Sequence, residues 1–287
     1  MKTKMSHFHE NLFLMKESIA SAGNNLLNVN FYLELKKLIV VSIIVLLTTT
    51  SVFGQNTGYM DDRSSITVKT ELAPPPLPDY VQPLCPGDGY LWTPGYWAWA
   101  ANGYYWVPGV WVLPPAIELL WTPGYWAFYD GFYGWHPGYW GPRVGYYGGI
   151  NYGFGYFGNG FYGGRWDRGH FMYNTSVWRV DKNIHNTYIN KVNIVNTNRE
   201  SFNGGKGVAY HPNKDEMDGM RNDNRIPASK EQMDHEKNMG NNMGQFRNNN
   251  SGPAIHSMTF PGGRGFDAGG REMKMGGMGR EGGRGRR

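Results

Sequence analysis

One hexapeptide pattern, Trp-x-Pro-Gly-x-Trp, occurs four times in succession: Trp92–Trp97, Trp106–Trp111, Trp121–Trp126 and Trp135–Trp140. The starts are spaced 14, 15 and 14 residues apart, so two copies make a unit of 29. A fixed period of this kind marks a repeated supersecondary unit that buries its apolar side against its neighbours. Proline and glycine inside every copy break a helix there, and 41 Gly with 17 Pro among 287 residues argue against long helical bundles and doubly wound α/β sheets. The sequence therefore predicts a mostly β protein: a short-stranded aromatic β-meander repeat module with a disordered or weakly helical C-terminal region.

The turn chemistry gives a pairing scheme. Proline presets the second position of a type II turn and glycine supplies positive φ at the third, so each Pro-Gly is expected to close a turn, or, since type II turns match strand twist less well than primed ones, to form a corner in place of a tight hairpin. Asn102-Gly103 and Asp130-Gly131 are two-residue hairpin signals. Pairing across these turns sets Trp92 beside Trp97, Trp99 beside Trp106, Trp106 beside Trp111, Trp121 beside Trp126, Trp126 beside Trp135 and Trp135 beside Trp140. All nine tryptophans of residues 86–142 then share one face, expected to pack inside, and the structural residues are Trp92, Pro94, Gly95, Trp97, Trp106, Pro108, Gly109, Trp111, Trp121, Pro123, Gly124, Trp126, Trp135, Pro137, Gly138 and Trp140. The opposite face carries Tyr96, Tyr105, Tyr125, Tyr129, His136 and Tyr139, the ligand-contact candidates, whose alternation with alanine suggests shallow grooves for sugar rings or a cation.

Tyr90-Leu91-Trp92-Thr93-Pro94-Gly95-Tyr96-Trp97 and Tyr133-Gly134-Trp135-His136-Pro137-Gly138-Tyr139-Trp140 resemble the YXWGXW (also written WXXGXW) repeat of exported bacterial envelope proteins; the third copy departs, with Leu119 where tyrosine is expected. The resemblance implies an envelope location and brings no established activity or catalytic residues.

The flanking segments read differently. Leu38–Leu47 is an apolar run preceded by Lys36 and Lys37 and followed by Thr48–Ser51, the layout of a secretory signal, with cleavage after Gly54. The alternative is an uncleaved inner-membrane anchor over residues 38–53. Residues 1–54 thus form an N-terminal extension and signal, and 55–85 a proline-rich linker expected to hold the repeat (86–142) away as an extended spacer. Residues 143–200 are a Gly/Tyr-rich and then Asn-rich β segment, 201–260 a polar flexible region, and 261–287 a Gly/Arg/Met-rich disordered tail carrying seven basic and three acidic residues. Asn213 with Glu216, and Ser229 with Gln232, fit capping boxes for short helices near 214–222 and 229–239, neither amphipathic enough to dock strongly.

No zincin helix, P-loop or nucleophile elbow is present, and Lys214 and Arg225 stand where a calcium loop needs its first and last ligands. Asp234-His235-Glu236 is expected on a solvated helix face, and Cys85 as an unpaired thiol at a linker edge. The sequence calls for no enzyme, cofactor or metal. No Lys or Arg occurs between Lys69 and Arg143, which argues against specific nucleic-acid binding by the repeat. The expected protein is a non-catalytic, exported cell-envelope protein with a structural or interaction role, in the periplasm, outer membrane or cell surface. Its Arg-rich tail would meet an envelope polysaccharide or other anionic polymer, and membrane contact would come only through an uncleaved N-terminal segment. The alternative is a glycan- or peptidoglycan-binding module using the tyrosine face.

Overall fold

The computed structural model describes Phe13, Leu14, Lys16 and residues 62–194, 197–221, 225–247, 257–263, 265–266 and 272–273. The chain divides into two units, Met1–Met60 and Asp61–Arg287. In the first, the three described residues are helical with exposed side chains; the signal expected at 38–54 lies outside the described residues, as does most of the cationic tail. The second unit is built of short strands in small sheets around large aromatic clusters, with two short helices, in agreement with the expected class.

The repeat supplies eight strands: β2 (Leu91–Thr93), β3 (Tyr96–Ala100), β4 (Gly103–Val107), β5 (Val110–Val112), β6 (Leu120–Thr122), β7 (Tyr125–Tyr129), β8 (Phe132–His136) and β9 (Tyr139–Gly141), preceded by β1 (Val68–Thr70). Their pairing departs from the scheme drawn from turn chemistry. β2 pairs with β5, placing Trp92 opposite Trp111, and β3 pairs with β4, placing Trp97 opposite Trp106 and Trp99 opposite Tyr104. No residue is gained or lost on either strand between Thr93↔Val110 and Tyr96↔Val107, so residues 91–112 are one long hairpin in which Pro94-Gly95 runs opposite Pro108-Gly109. Residues 120–141 repeat this 29 positions later, with Trp121 opposite Trp140 and Trp126 opposite Trp135. Of the expected tryptophan pairs, only Trp126 with Trp135 occurs.

The reason lies in the glycines. Gly95, Gly109, Gly124 and Gly138 are absent from the positive-φ residues, so no type II turn forms at these steps. The chain reverses instead at Ala101-Asn102, followed by Gly103 at φ 106°, and at Asp130-Gly131, where φ is 38° and 104° as a type I′ turn requires.

The rest of the unit wraps these hairpins. The run after residue 143 folds back through β10 (Asn151–Gly153) and β11 (Tyr156–Phe157), burying Tyr146, Tyr147, Ile150, Tyr152 and Tyr156. Then come β12 (Gly164–Asp167), β13 (His170–Asn174) and β14 (Thr187–Tyr188), which form a three-stranded sheet, and β15 (Phe202–Asn203), which pairs parallel to β7. Helix α1 (Lys214–Met220) and helix α2 (Lys230–Gly240) begin at Asn213 and Ser229 with both capping boxes formed, as the sequence predicted. β16 (Ile226–Pro227), between them, pairs with β9, and β17 (Ser257–Met258) lies against the first hairpin through Met258 N–H to the Gly109 carbonyl, 2.9 Å.

Two expectations are corrected here. The proline-rich stretch is no spacer: polyproline backbone makes no internal hydrogen bonds, and its free carbonyls accept from the hairpin. Trp97 Nε1 donates to Pro76 O at 3.2 Å, Trp111 Nε1 to Pro83 O at 3.0 Å and the Tyr104 hydroxyl to Leu72 O at 2.8 Å. Helix α2 does dock, through polar side chains and not an apolar stripe: Gln232 and His235 are buried beside Met239. Cys85 is unpaired, as expected, and is fully buried, its thiol donating to Gly87 O at 3.2 Å; burial pushes its pKa up to about 11.

Candidate functional site

Each motif glycine is a seat for a tryptophan of the other copy in its hairpin. A Cβ on Gly95 would lie 2.4 Å from Cζ2 of Trp106, and one on Gly109 2.6 Å from Cζ2 of Trp92. In the second hairpin the same positions on Gly124 and Gly138 meet Trp135 and Trp121, each at 2.5 Å. The backbones also touch, since the Gly95 position lies 2.9 Å from Gly109 N and the Gly124 position 2.8 Å from Gly138 N. So the first tryptophan of every copy rests on the glycine of its paired copy, and two copies are the smallest arrangement in which each seat is filled.

The four cross-strand tryptophan pairs have centroids 5.2 to 5.4 Å apart, tilted or edge-on as ring quadrupoles prefer. Trp92, Trp97, Trp106, Trp111, Trp121, Trp126 and Trp140 are buried, while Trp99 and Trp135 are half-buried. The hairpins are joined by Trp126 Nε1–H to Trp97 O, 2.8 Å, and by Tyr96 stacked on Trp135 at 5.2 Å. The Tyr156 hydroxyl reaches the equivalent carbonyls of Trp92, 3.4 Å, and Trp121, 3.1 Å. Backbone polar groups that a Pro-Gly step withdraws from the ladder need other partners; one such carbonyl, Gly124 O, accepts from the Tyr152 hydroxyl at 2.6 Å.

The tyrosine face is not the open groove expected from alternation. Tyr105, Tyr125 and His136 are buried, and Tyr96, Tyr129 and Tyr139 are half-buried. The Tyr96 hydroxyl donates to Glu236 Oε2 at 2.6 Å. Tyr105 packs against the Phe246 ring at 5.3 Å, and a Cβ on Gly240, at the end of α2, would touch its ring. Tyr125 stacks on His136 with centroids 4.5 Å apart. The His136 ring nitrogens are within hydrogen-bond distance of Ser65 Oγ, 2.6 Å, and the Tyr129 hydroxyl, 2.7 Å. Guanidinium groups lie over two of the rings, Arg63 over Tyr129 at 5.2 Å and Arg225 over Tyr139 at 5.0 Å. Burial raises the pKa of the Tyr96 and Tyr105 phenols well above their ordinary value, with the Glu236 carboxylate adding to the effect. What alternation could not show is the material covering this face, which comes from residues 66 to 141 positions away in the chain.

Two concavities border these residues. A cavity of about 80 Å³ lies between the Pro-Gly steps of the two hairpins, beneath α2. A more open cleft of about 890 Å³ runs beside the second hairpin, lined by Tyr105, Tyr125, Trp135, His136 and Tyr139 and rimmed by Arg225, Glu236 and Lys237. The Asp234-His235-Glu236 cluster is split by the fold: Asp234 faces solvent, Glu236 holds Tyr96, and His235 is buried with Nε2 2.9 Å from Pro108 O. Among the described residues no group of three or more His, Cys, Asp or Glu side chains could hold a metal ion, and no helix is long and apolar enough to cross a membrane.

No curated protein and no solved structure matches the chain. A family model does match, and it covers the first hairpin with the residues just before it: residues 87–112 match two copies of the WXXGXW repeat.

Proposed function

We propose that this protein is a non-catalytic, exported structural component of the cell envelope, in which the repeat serves as a self-locking scaffold. The observation that carries this reading is the reciprocal seating of tryptophan on glycine. It commits the conspicuous indoles to internal packing, and the tyrosines behind them are engaged by Glu236, His136, Arg63 and Arg225. The apolar run at 38–47 supports export. The basic tail would hold an anionic envelope polymer such as lipopolysaccharide or extracellular DNA by charge. Fractionation of the expressing cell, with binding of the purified protein to these polymers across a salt series, tests the proposal. Recovery in the envelope, and loss of salt-dependent binding on deletion of 261–287, is the expected result. Recovery in the cytoplasm, or binding unchanged by the deletion, contradicts it.

The cleft beside the second hairpin favours a second reading, a glycan- or peptidoglycan-binding module. Its volume suits a sugar unit, and Tyr139 and Trp135 are its partly accessible rings. Retention on peptidoglycan or a common polysaccharide that is lost in Tyr139→Ala supports this reading; no retention of the parent returns the protein to the scaffold class.

A further inference from the structure

Helix α2 spans the junction of the two hairpins and is held there by three polar side chains, at i, i+3 and i+4. Gln232 Oε1 accepts from Trp140 Nε1 of the second hairpin at 2.8 Å. His235 Nε2 donates to Pro108 O, and Glu236 accepts the Tyr96 hydroxyl, both in the first. Gln232 also completes the helix's own capping box, so one side chain serves both the start of the helix and its attachment.

His235 is the member of this set that gains a charge when it takes up a proton. It is 3% exposed, and Nδ1 has no hydrogen-bond partner among the described residues. With Nε2 donating to a carbonyl, the ring that fits the site is neutral. A second proton would place a charge and an unanswered donor in a buried setting, which costs far more than either does in water.

The surroundings offer little to offset that charge. Facing His235 across the small cavity are Pro108, Gly138, Tyr96 and Tyr152, with Glu236 from its own helix already bonded to Tyr96. On its other side are Tyr90, Trp111 and Phe260, with Glu231 and Asp234 at the exposed rim. The charges of residues 86–142, Asp88, Glu118 and Asp130, line neither space.

We propose that α2 is an acid-released latch over the junction between the two repeat hairpins, with His235 as its trigger and Gln232 and Glu236 as its other fastenings. In support, burial outweighs the Pro108 bond and lowers the imidazole pKa from its ordinary 6.5. The sign follows. A group that binds its proton more weakly when docked stabilises docking fully above its free pKa, about 6.5, and progressively less as pH falls below it, by up to about tenfold in the docking equilibrium per pH unit. Release would uncover Tyr96 and Trp140, which α2 now covers.

The test uses the full chain. Amide-exchange protection over 230–240, corrected for the intrinsic effect of pH, is compared at pH 7.5 and 5.0 in the parent, in His235→Gln and in Gln232→Ala, with amides of β3 and β7 as reference. The parent is expected to lose protection at pH 5.0 relative to the reference strands, with a ceiling of about thirtyfold set by the free pKa of about 6.5. His235→Gln, which keeps a donor for Pro108 but no titration, should show equal protection at both pH values. Gln232→Ala should be weaker at both and keep the pH dependence. An unchanged parent at pH 5.0, or the same acid loss in His235→Gln, overturns the latch. Should His235→Gln fail to dock at neutral pH, nuclear magnetic resonance titration of the parent decides. An imidazole titrating below 6.5 together with loss of helix contacts supports the proposal; titration with the helix in place refutes it.

Discussion

The two hairpins, 91–112 and 120–141, share register, tryptophan pairs and glycine seats, yet they are covered in different ways. The first stays two-stranded at each end and has its indoles capped by the carbonyls of the proline strap. The second is extended on its edges by β1, β15 and β16. One equivalent pair of positions shows how the sequence sets this difference. At Tyr105 the first hairpin fills the space with its own ring against Phe246, whereas the second has Gly134, whose Cβ position is only 2.7 Å from the Ile66 side chain just before β1. The shared residues define the hairpin, and the residues that differ choose its cover.

Truncating equivalent tryptophans should separate the two most strongly. Trp106 is fully buried, so Trp106→Ala is expected to cost about 3–5 kcal/mol in denaturant unfolding. Its counterpart Trp135 is half-buried, and Trp135→Ala should cost clearly less, about half as much, because only the apolar area already removed from water is at stake. Equal losses would mean that the covers do not matter. Next in size is the seat itself: Gly95→Ala should cost about 1–3 kcal/mol or more by overpacking. In a double-mutant cycle it should couple to Trp106→Phe and not to Trp111→Phe, with coupling of about 0.5–3 kcal/mol. The equivalent cycle joins Gly124 to Trp135.

Much of this arrangement was legible in the sequence. The repeat, the strand segments, the Asp130-Gly131 turn and both capping boxes follow from local rules that depend on near neighbours only. The pairing was not, because Pro-Gly has two physical uses: glycine supplies positive φ in a type II turn, or bare backbone where two strands and a ring must meet. Sequence spacing does not distinguish them; here Gly95 and Gly124 serve the second use. The cover over the tyrosine face escaped for a different reason. Helix α2 carries no apolar stripe, and it attaches through Gln232, His235 and Glu236, residue types that a pattern of hydrophobicity reads as solvated. The proline strap misled in the same way, since its carbonyls are invisible to side-chain patterning.

Smaller effects sharpen the comparison at the hairpin ends. Gly103 and Gly131 have positive φ and open space around a Cβ, so alanine at either should cost about 1–2 kcal/mol through backbone strain alone. The three atoms nearest a Cβ at Gly134 all belong to the flexible Ile66 side chain, so Gly134→Ala should cost less still, about 1 kcal/mol, while loosening β1 from β8; its effect should largely vanish in an Ile66→Ala background.

The central claim is that two copies of the motif fold against each other, and not each upon itself. Through-space proton contacts between selectively labelled indoles in the purified chain test it directly. The account predicts ring contacts for Trp92 with Trp111 and Trp97 with Trp106, repeated for Trp121 with Trp140 and Trp126 with Trp135. Contacts joining Trp92 with Trp97 and Trp106 with Trp111, in place of these, would contradict it.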